Sequence, residues 1–152
     1  FSEAVIIMTS NVGAHDLATT VIDDETRDDV MDQVRTEFRP EFLNRLDEIV
    51  MFHPLSDEHL AQILELLLRQ ENKLAAERGL TLDFSDKAKR WLLAQNENPE
   101  WGARPLRRII QRNVREQLAD YLLKENPQPG TRVHIDANKK GLTFDMKVSS
   151  KK

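Results

Sequence analysis

The sequence contains no cysteine and no apolar run long enough to cross a bilayer. The first absence excludes disulfide bonds and thiolate metal sites. A transmembrane helix needs about 18 or more consecutive apolar residues, and no stretch of this chain has them. The net charge of −4 gives no general reason to expect nucleic acid as a partner. The chain therefore has to be interpreted from its own helix, strand and turn patterns.

The balance of residue types is that of a folded globular protein. Hydrophobic residues make up 39% and charged residues 32% of the 152 positions, a balance that disordered chains do not show. This length is enough for one ordinary domain or two small ones. The chain begins Phe-Ser-Glu, without an initiator methionine, and runs directly into an apolar segment. We therefore expect it to be a piece of a larger protein.

The first third of the chain predicts an incomplete α/β unit. Residues 4–8 are apolar and rich in β-branched side chains, as in a buried strand. A polar turn, 9–13, follows, and the weak pattern of 15–28 indicates a loop. The spacing of apolar residues in 29–39 predicts a helix that ends before a proline. A second strand is predicted at 49–52.

Three helices are predicted beyond that point. The first begins after Ser56 and ends at Gly79, the second follows Ser85, and the third, at 104–124, carries a proline in its first turn. Their spacing places an apolar stripe on each helix, which indicates a core. The stripe residues are Leu60, Ile63, Leu64, Leu67 and Leu74, then Ala88, Trp91 and Leu92, then Leu106, Ile109, Ile110, Val114, Leu118, Tyr121 and Leu122.

Three strands accompany these helices. Residues 80–84 alternate like a half-buried strand, and 132–136 with 142–146 read as a hairpin. Three helices and three strands can bury a core of their own, which the first third cannot do. A domain boundary is therefore predicted near Pro54.

Three motifs then occur in a recognisable order. They are Thr9-Ser10-Asn11, Phe38-Arg-Pro-Glu-Phe-Leu-Asn-Arg45 and Trp101-Gly-Ala-Arg-Pro-Leu106. Together they resemble the C-terminal part of the second ATPase module of Clp-type AAA+ unfoldases, over residues 4–136. The resemblance implies an α/β remnant of an AAA+ large subdomain at 1–54. It also implies an α+β AAA+ C-terminal small subdomain, with three helices and a short sheet, at 55–148, and a tail at 149–152.

The same resemblance implies roles for three residues. Asn11 matches the first sensor, which orients the water that attacks the γ-phosphate. Arg45 matches the arginine finger, which reaches the nucleotide of the neighbouring subunit. Arg104 matches the second sensor, which contacts the phosphates of its own subunit from the start of a long helix. A planar, permanently charged guanidinium suits such phosphate oxygens.

Each of the three residues also has a plainer interpretation. Asn11 also suits a turn, Arg45 a salt bridge with Asp47 or Glu48, and Arg104 packing at a helix start. Structural or surface roles are expected for Arg39, Arg107 and Arg108. The four histidines have no metal-ligand spacing, so no metal site is predicted in this chain.

The functional expectation follows from the resemblance. It implies an ATP-driven hexameric chaperone of the cytoplasm that unfolds or disaggregates polypeptides, uses Mg²⁺ in the intact protein and admits a co-chaperone. Nucleic acid and membranes are not expected partners. The 152 residues contain no phosphate loop and no apolar strand that ends in the Asp-Glu pair of a magnesium site, so this piece alone is expected to be inactive.

The branch of the family is inferred from a missing loop. Members that dock on a peptidase carry an Ile/Val-Gly-Phe/Leu loop between the first sensor and the finger. Residues 12–36 contain no such loop, which favours a disaggregase resembling ClpB, or a related stand-alone Clp chaperone, over a peptidase partner. The alternatives are the ATPase subunit of a Clp protease and an oligomerisation module without a catalytic share.

Overall fold

The structure is a computed structural model that describes residues 3–18, 22–98 and 101–147. The chain divides into two units, Phe1–Pro54 and Leu55–Lys152. Within the described ranges, no helix is both long enough and apolar enough to cross a membrane. The predicted tail at 149–152 lies outside the described residues.

The first unit contains short helical elements. They are a 3-10 turn at Asp16–Ala18, helix α1 at Asp24–Glu37 and helix α2 at Pro40–Leu43. Helix α1 begins five residues earlier than predicted, so the expected loop ends sooner. The cause is a cap that the pattern of apolar residues does not reveal: Asp23 Oδ1 accepts a hydrogen bond from the N–H of Thr26 at 2.8 Å.

The two strands predicted for this unit are wrong. Residues 4–8 and 49–52 form no strand, and Val5, Ile6 and Ile7 are 89%, 81% and 83% exposed. A strand is defined by hydrogen bonds to a neighbouring strand, and the described part of this unit offers no neighbour. β-Branched composition alone was therefore not sufficient for these segments to form strands.

Three helices form the helical part of the second unit, as predicted. The bounds are α3 Asp57–Ala76, α4 Asp86–Ala94, α5 Arg104–Ile110, a π-helical turn Gln111–Glu116 and α6 Gln117–Glu125. The last three segments follow one another without a break and make the single long helix that the spacing predicted.

Both predicted serine caps are confirmed. Ser56 Oγ accepts from the N–H of His59 at 3.3 Å, and His59 Nδ1 in turn accepts from the N–H of Ser56. Ser85 Oγ accepts from the N–H of Ala88 at 3.0 Å. These bonds satisfy backbone donors that the first turn of a helix leaves free.

The predicted strands of the second unit are also confirmed, as a three-stranded sheet. Strand β1, Thr81–Phe84, runs parallel to β2, Arg132–Asn138, and β2 pairs antiparallel with β3, Gly141–Lys147. The outer edge of β1 is covered from α3, because Asn72 donates to the Leu82 carbonyl at 2.7 Å and accepts from its N–H at 3.0 Å. The side-chain amide thus replaces a missing strand.

The core lies between α3, α4, the long helix and the sheet. The residues below 2% exposure with the largest side chains are Leu64, Leu92, Leu106, Ile135, Val114 and Val133. One stripe residue was predicted wrongly, because Leu74 is 47% exposed. Successive residues of an α-helix are rotated by about 100°, so Leu74 projects about 100° away from Ala75 and lies at the margin of the buried face that Leu64 and Ala75 define.

The π-helical turn keeps one apolar row on one side of the long helix. Leu106, Ile110, Val114 and Leu118 are spaced four residues apart, and all four are buried. On an α-helix each four-residue step drifts by about 40°, or about 120° over the row. A π turn closes i→i+5 bonds and so accommodates an extra residue, which removes about 100° of that drift. Packing of this row favours the wider turn.

Candidate functional site

Asn11 lies in a turn whose backbone is held on both sides. Ser10 Oγ accepts from the N–H of Val12 at 3.2 Å, and the Asn11 carbonyl accepts from the N–H three residues later at 3.1 Å. Gly13 has φ +75°, and a Cβ at this position would come within 2.7 Å of Cγ1 of the buried Val30. The turn therefore presents an exposed Asn11 amide, which has no hydrogen-bond partner among the described residues.

Arg45 follows directly on α2. Pro40 is the first residue of that helix, and the rings of Phe38 and Phe42 stack with their centroids 5.6 Å apart. The N–H of Arg45 donates to the Phe42 carbonyl at 3.0 Å, so the backbone of Arg45 is fixed by the same short helix. The backbone at Arg45 is thus constrained by the short helix that Pro40 begins and by the stacked rings of Phe38 and Phe42.

The Arg45 side chain is exposed. No carboxylate in the described part of the chain forms an ion pair with it. The salt bridge to Asp47 or Glu48 that the sequence allowed is therefore not present in this structure. An exposed guanidinium of this kind is available to an anion from outside the chain.

Arg104 is the first residue of α5. Leu106, two residues further on, is fully buried at 0% exposure and anchors the helix start in the core. Pro105 occupies a first-turn position where its missing N–H costs nothing. The Arg104 side chain is exposed and has no hydrogen bond or ion pair in the described ranges.

A turn fixes the point at which α5 begins. Gly102 has φ +67°, a conformation that favours glycine. Asn96 Nδ2 donates to the Gly102 carbonyl at 3.4 Å. The Oδ1 atom of Asn96 is buried without a hydrogen-bond partner among the described residues.

The three candidate residues are divided between the two units of the chain. Asn11 and Arg45 belong to the first unit and Arg104 to the second. A cleft of about 250 Å³ in the first unit is lined by Asp23, Arg27 and His53 with their neighbours, and by none of the three candidates. Among the described residues, no group of three or more His, Asp or Glu is placed to hold a metal ion.

Two protein-family models match the chain, one on each side of this division. Residues 55–135 match the C-terminal, D2-small domain of the ClpB protein, which is more than half of the chain. The chain belongs to the ClpB family. Residues 1–49 match the AAA domain of the Cdc48 subfamily. The resemblance drawn from the three motifs is thereby confirmed.

Curated ClpB relatives match over nearly the whole chain. The Chaperone protein ClpB of Corynebacterium diphtheriae is 45% identical over 138 residues, which cover 91% of this chain and 15% of the relative. That of Brucella suis is 42% identical over 147 residues, 95% of this chain and 17% of the relative. That of Staphylococcus epidermidis is 37% identical over 143 residues, which cover 91% of this chain and 16% of the relative. The chain thus spans about a sixth of the length of the ClpB relatives it matches.

The sequence motifs missed the residues that hold the Arg104 helix in this ClpB-family chain. Arg115 forms a two-bonded ion pair with Glu71 of α3, and Asn113 donates to the Ile109 carbonyl at 2.9 Å. No motif identifies a pair that is 44 residues apart. The strict four-residue spacing of the buried row from Leu106 to Leu118 is the sequence signal that could have revealed the π-helical turn to which Asn113 and Arg115 belong.

Proposed function

We propose that this chain is the C-terminal segment of the second ATPase module of a ClpB-type chaperone, which uses ATP to unfold and disaggregate polypeptides. The observation that carries the proposal is the agreement of two boundaries. The family matches cover 1–49 and 55–135, and the structure divides at Pro54. The first unit then corresponds to the end of an AAA+ large subdomain and the second to the small subdomain.

The roles of the three candidate residues belong to the same proposal. Asn11 orients the attacking water, Arg45 contacts the nucleotide of the neighbouring subunit and Arg104 contacts the phosphates in its own subunit. All three side chains are exposed on a fixed backbone and lack a partner in the described part of the chain. Catalysis of phosphoryl transfer consists mainly of positioning and charge stabilisation, and an arginine finger can contribute about 10³–10⁵ in rate.

The residues present fit ATP only in part. Exposed guanidinium groups such as those of Arg45 and Arg104 suit phosphate oxygens. Magnesium does not fit the described residues, because they offer no cluster of carboxylate ligands. The 152 residues contain no phosphate loop, so the nucleotide cradle has to come from elsewhere in the intact protein.

The partners follow from the trans role of Arg45. A residue that completes a neighbour's site requires an adjacent subunit, and the family resemblance gives the assembly as a homohexamer. Unfolded or aggregated polypeptide is the substrate, a co-chaperone is a further partner, and the cytoplasm is the proposed location. The ring would couple phosphate contacts to movement of the second unit as a rigid body.

A second candidate is an assembly module without a catalytic share. The observation that favours it is the apolar surface of residues 5–7, where the three side chains are more than 80% exposed. Exposed apolar patches commonly mark interfaces. In that case Arg45 and Arg104 would contribute to subunit contacts and not to hydrolysis.

The test uses Arg45→Ala and Arg104→Ala in the intact protein, with ATP turnover as the measurement. We expect both variants to lose most of their turnover, since each removes a charge at the phosphates. Mixing Arg45→Ala with wild-type subunits should lower hydrolysis more than the mutant fraction alone predicts. Wild-type turnover in both variants would refute the catalytic roles, and a change of ring size alone would favour the assembly module.

A further inference from the structure

The helix that carries Arg104 contains a π-helical turn, Gln111–Glu116, between α5 and α6. Two turns of α5 separate it from Arg104, so the two ends are joined by a stiff rod. Such π turns often occur at functional sites. A change in the rotational phase of this turn would rotate the end of the helix that carries Arg104.

The first half of the turn is held by Asn113. Its Nδ2 donates to the Ile109 carbonyl at 2.9 Å, and the residue is half-buried. In an α-helix the backbone N–H of residue 113 would donate to this same carbonyl. The side-chain amide therefore competes for the acceptor of the α-helical bond, which favours the wider turn.

The second half of the turn is held by Arg115. Its Nε donates to Glu71 Oε2 at 3.1 Å and its Nη2 donates to Oε1 at 2.6 Å. The Glu71 side chain, on α3, is only 11% exposed, and the hydrogen bonds that Arg115 donates to Glu71, together with the charge of that carboxylate, raise the pKa of Arg115. A bidentate pair fixes geometry as well as adding attraction. The π turn is thus tied to the helix that forms one wall of the core.

We infer that Asn113 and Arg115 are positioning residues for Arg104, because they hold the π turn that sets the phase of its helix. The inference rests on the proposed function of Arg104. Conversion of the π turn to α-helix would shift the phase by one residue, or about 100°. At a radius of 5–6 Å this rotation displaces a side-chain tip by about 8 Å. A misplacement of only about 1 Å can cost 10²-fold in rate.

The test measures the kcat and KM of ATP hydrolysis by the intact protein. Asn113→Asp replaces the amide donor by a carboxylate that faces the Ile109 carbonyl, and Arg115→Ala removes the pair with Glu71. Each should lower kcat/KM by about 10- to 100-fold. Arg115→Lys should restore part of the loss, because one hydrogen bond to the carboxylate remains possible.

Two matched controls lie in the same turn. Gln111→Glu makes the same amide-to-carboxylate change, and Arg112→Ala removes the same kind of side chain. Both residues are exposed and make no side-chain bond in the described ranges. Both variants should keep kcat/KM within about twofold of wild type, as is usual for surface substitutions.

The decisive measurement combines each variant with Arg104→Ala. If Asn113 and Arg115 act through Arg104, neither substitution should lower kcat/KM further once the arginine is absent. A purely structural role would lower kcat/KM by the same factor in both backgrounds. That result, or wild-type kinetics in both single variants, would overturn the inference while leaving the proposed function intact. Wild-type kinetics in Arg104→Ala would instead refute the proposed role of Arg104 and the inference with it.

Discussion

Ser85 joins a helix to the sheet through a single hydroxyl group. Its Oγ accepts from the N–H of Ala88 at 3.0 Å and so caps α4. The same hydroxyl donates to Asp136 Oδ1, on β2, at 2.6 Å. Asp136 Oδ1 also accepts from the N–H of Ala137 at 2.8 Å. Ser85→Ala therefore removes a helix cap and one of two donors to a carboxylate.

The loss of the cap should lower the free energy of unfolding by about 1 kcal/mol. For a unit of the size of Leu55–Lys152, which contains Ser85, that corresponds to a fall in Tm of about 4–8 °C. Loss of the hydrogen bond to Asp136 adds to this effect at neutral pH. Ser85→Thr is the matched control, because threonine keeps the hydroxyl and caps helices nearly as well as serine. Thermal unfolding of the 152-residue chain, followed by circular dichroism, measures both variants.

The effect of Ser85→Ala should also depend on pH. The hydrogen bond from Ser85, and then that from Ala137, holds the pKa of Asp136 below its usual value. A lowered folded-state pKa contributes stability above the unfolded pKa of about 3.9, and this is lost as pH falls through the folded value. The difference between wild type and Ser85→Ala should therefore shrink below about pH 4, toward the contribution of the cap alone. Equal Tm values for wild type and Ser85→Ala at pH 7, or a difference that grows on acidification, would refute this reasoning.

Two further predictions concern the first unit. Gly13→Ala should destabilise the Asn11 turn by more than about 1 kcal/mol, because φ is +75° and the new Cβ would lie 2.7 Å from Val30 Cγ1. Faster hydrogen exchange at the N–H of Ala14 would report this loss. The control is Gly130→Ala, which should cost less, because Gly130 has φ +91° but no atom within 4 Å of a new Cβ. Ile6→Lys should reduce self-association of the chain in sedimentation experiments, whereas Leu123→Lys, which changes an equally exposed leucine outside the run 5–7, should not. Unchanged exchange in the first case, or equal effects of the two lysines in the second, would contradict these expectations.

The second unit could be predicted from sequence because its signals are local. Ser56 and Ser85 each stand directly before a helix, and the turn of the hairpin lies between two alternating segments. Each signal involves residues within one or two turns of each other, so no knowledge of the rest of the fold is needed. The three helices and three strands followed from these signals.

The errors in the first unit have the opposite cause. Residues 4–8 and 49–52 have strand composition, but pairing depends on a neighbouring strand and not on the segment itself. The early start of α1 depends on Asp23, whose side chain caps the helix, and an aspartate in an acidic stretch gives no clear boundary. Composition predicts where a strand is possible, whereas hydrogen-bond partners decide where one forms.

Exposure alone does not distinguish the candidate arginines from other arginines of the chain. Arg107 and Arg108 are exposed as well and also lack ion pairs among the described residues. What sets Arg104 apart is its backbone, which starts a helix after a left-handed glycine and two residues before a fully buried leucine. A guanidinium on so constrained a backbone loses less conformational freedom when it binds an anion. Positioning, and not exposure, is therefore the property that mutagenesis of this helix has to test.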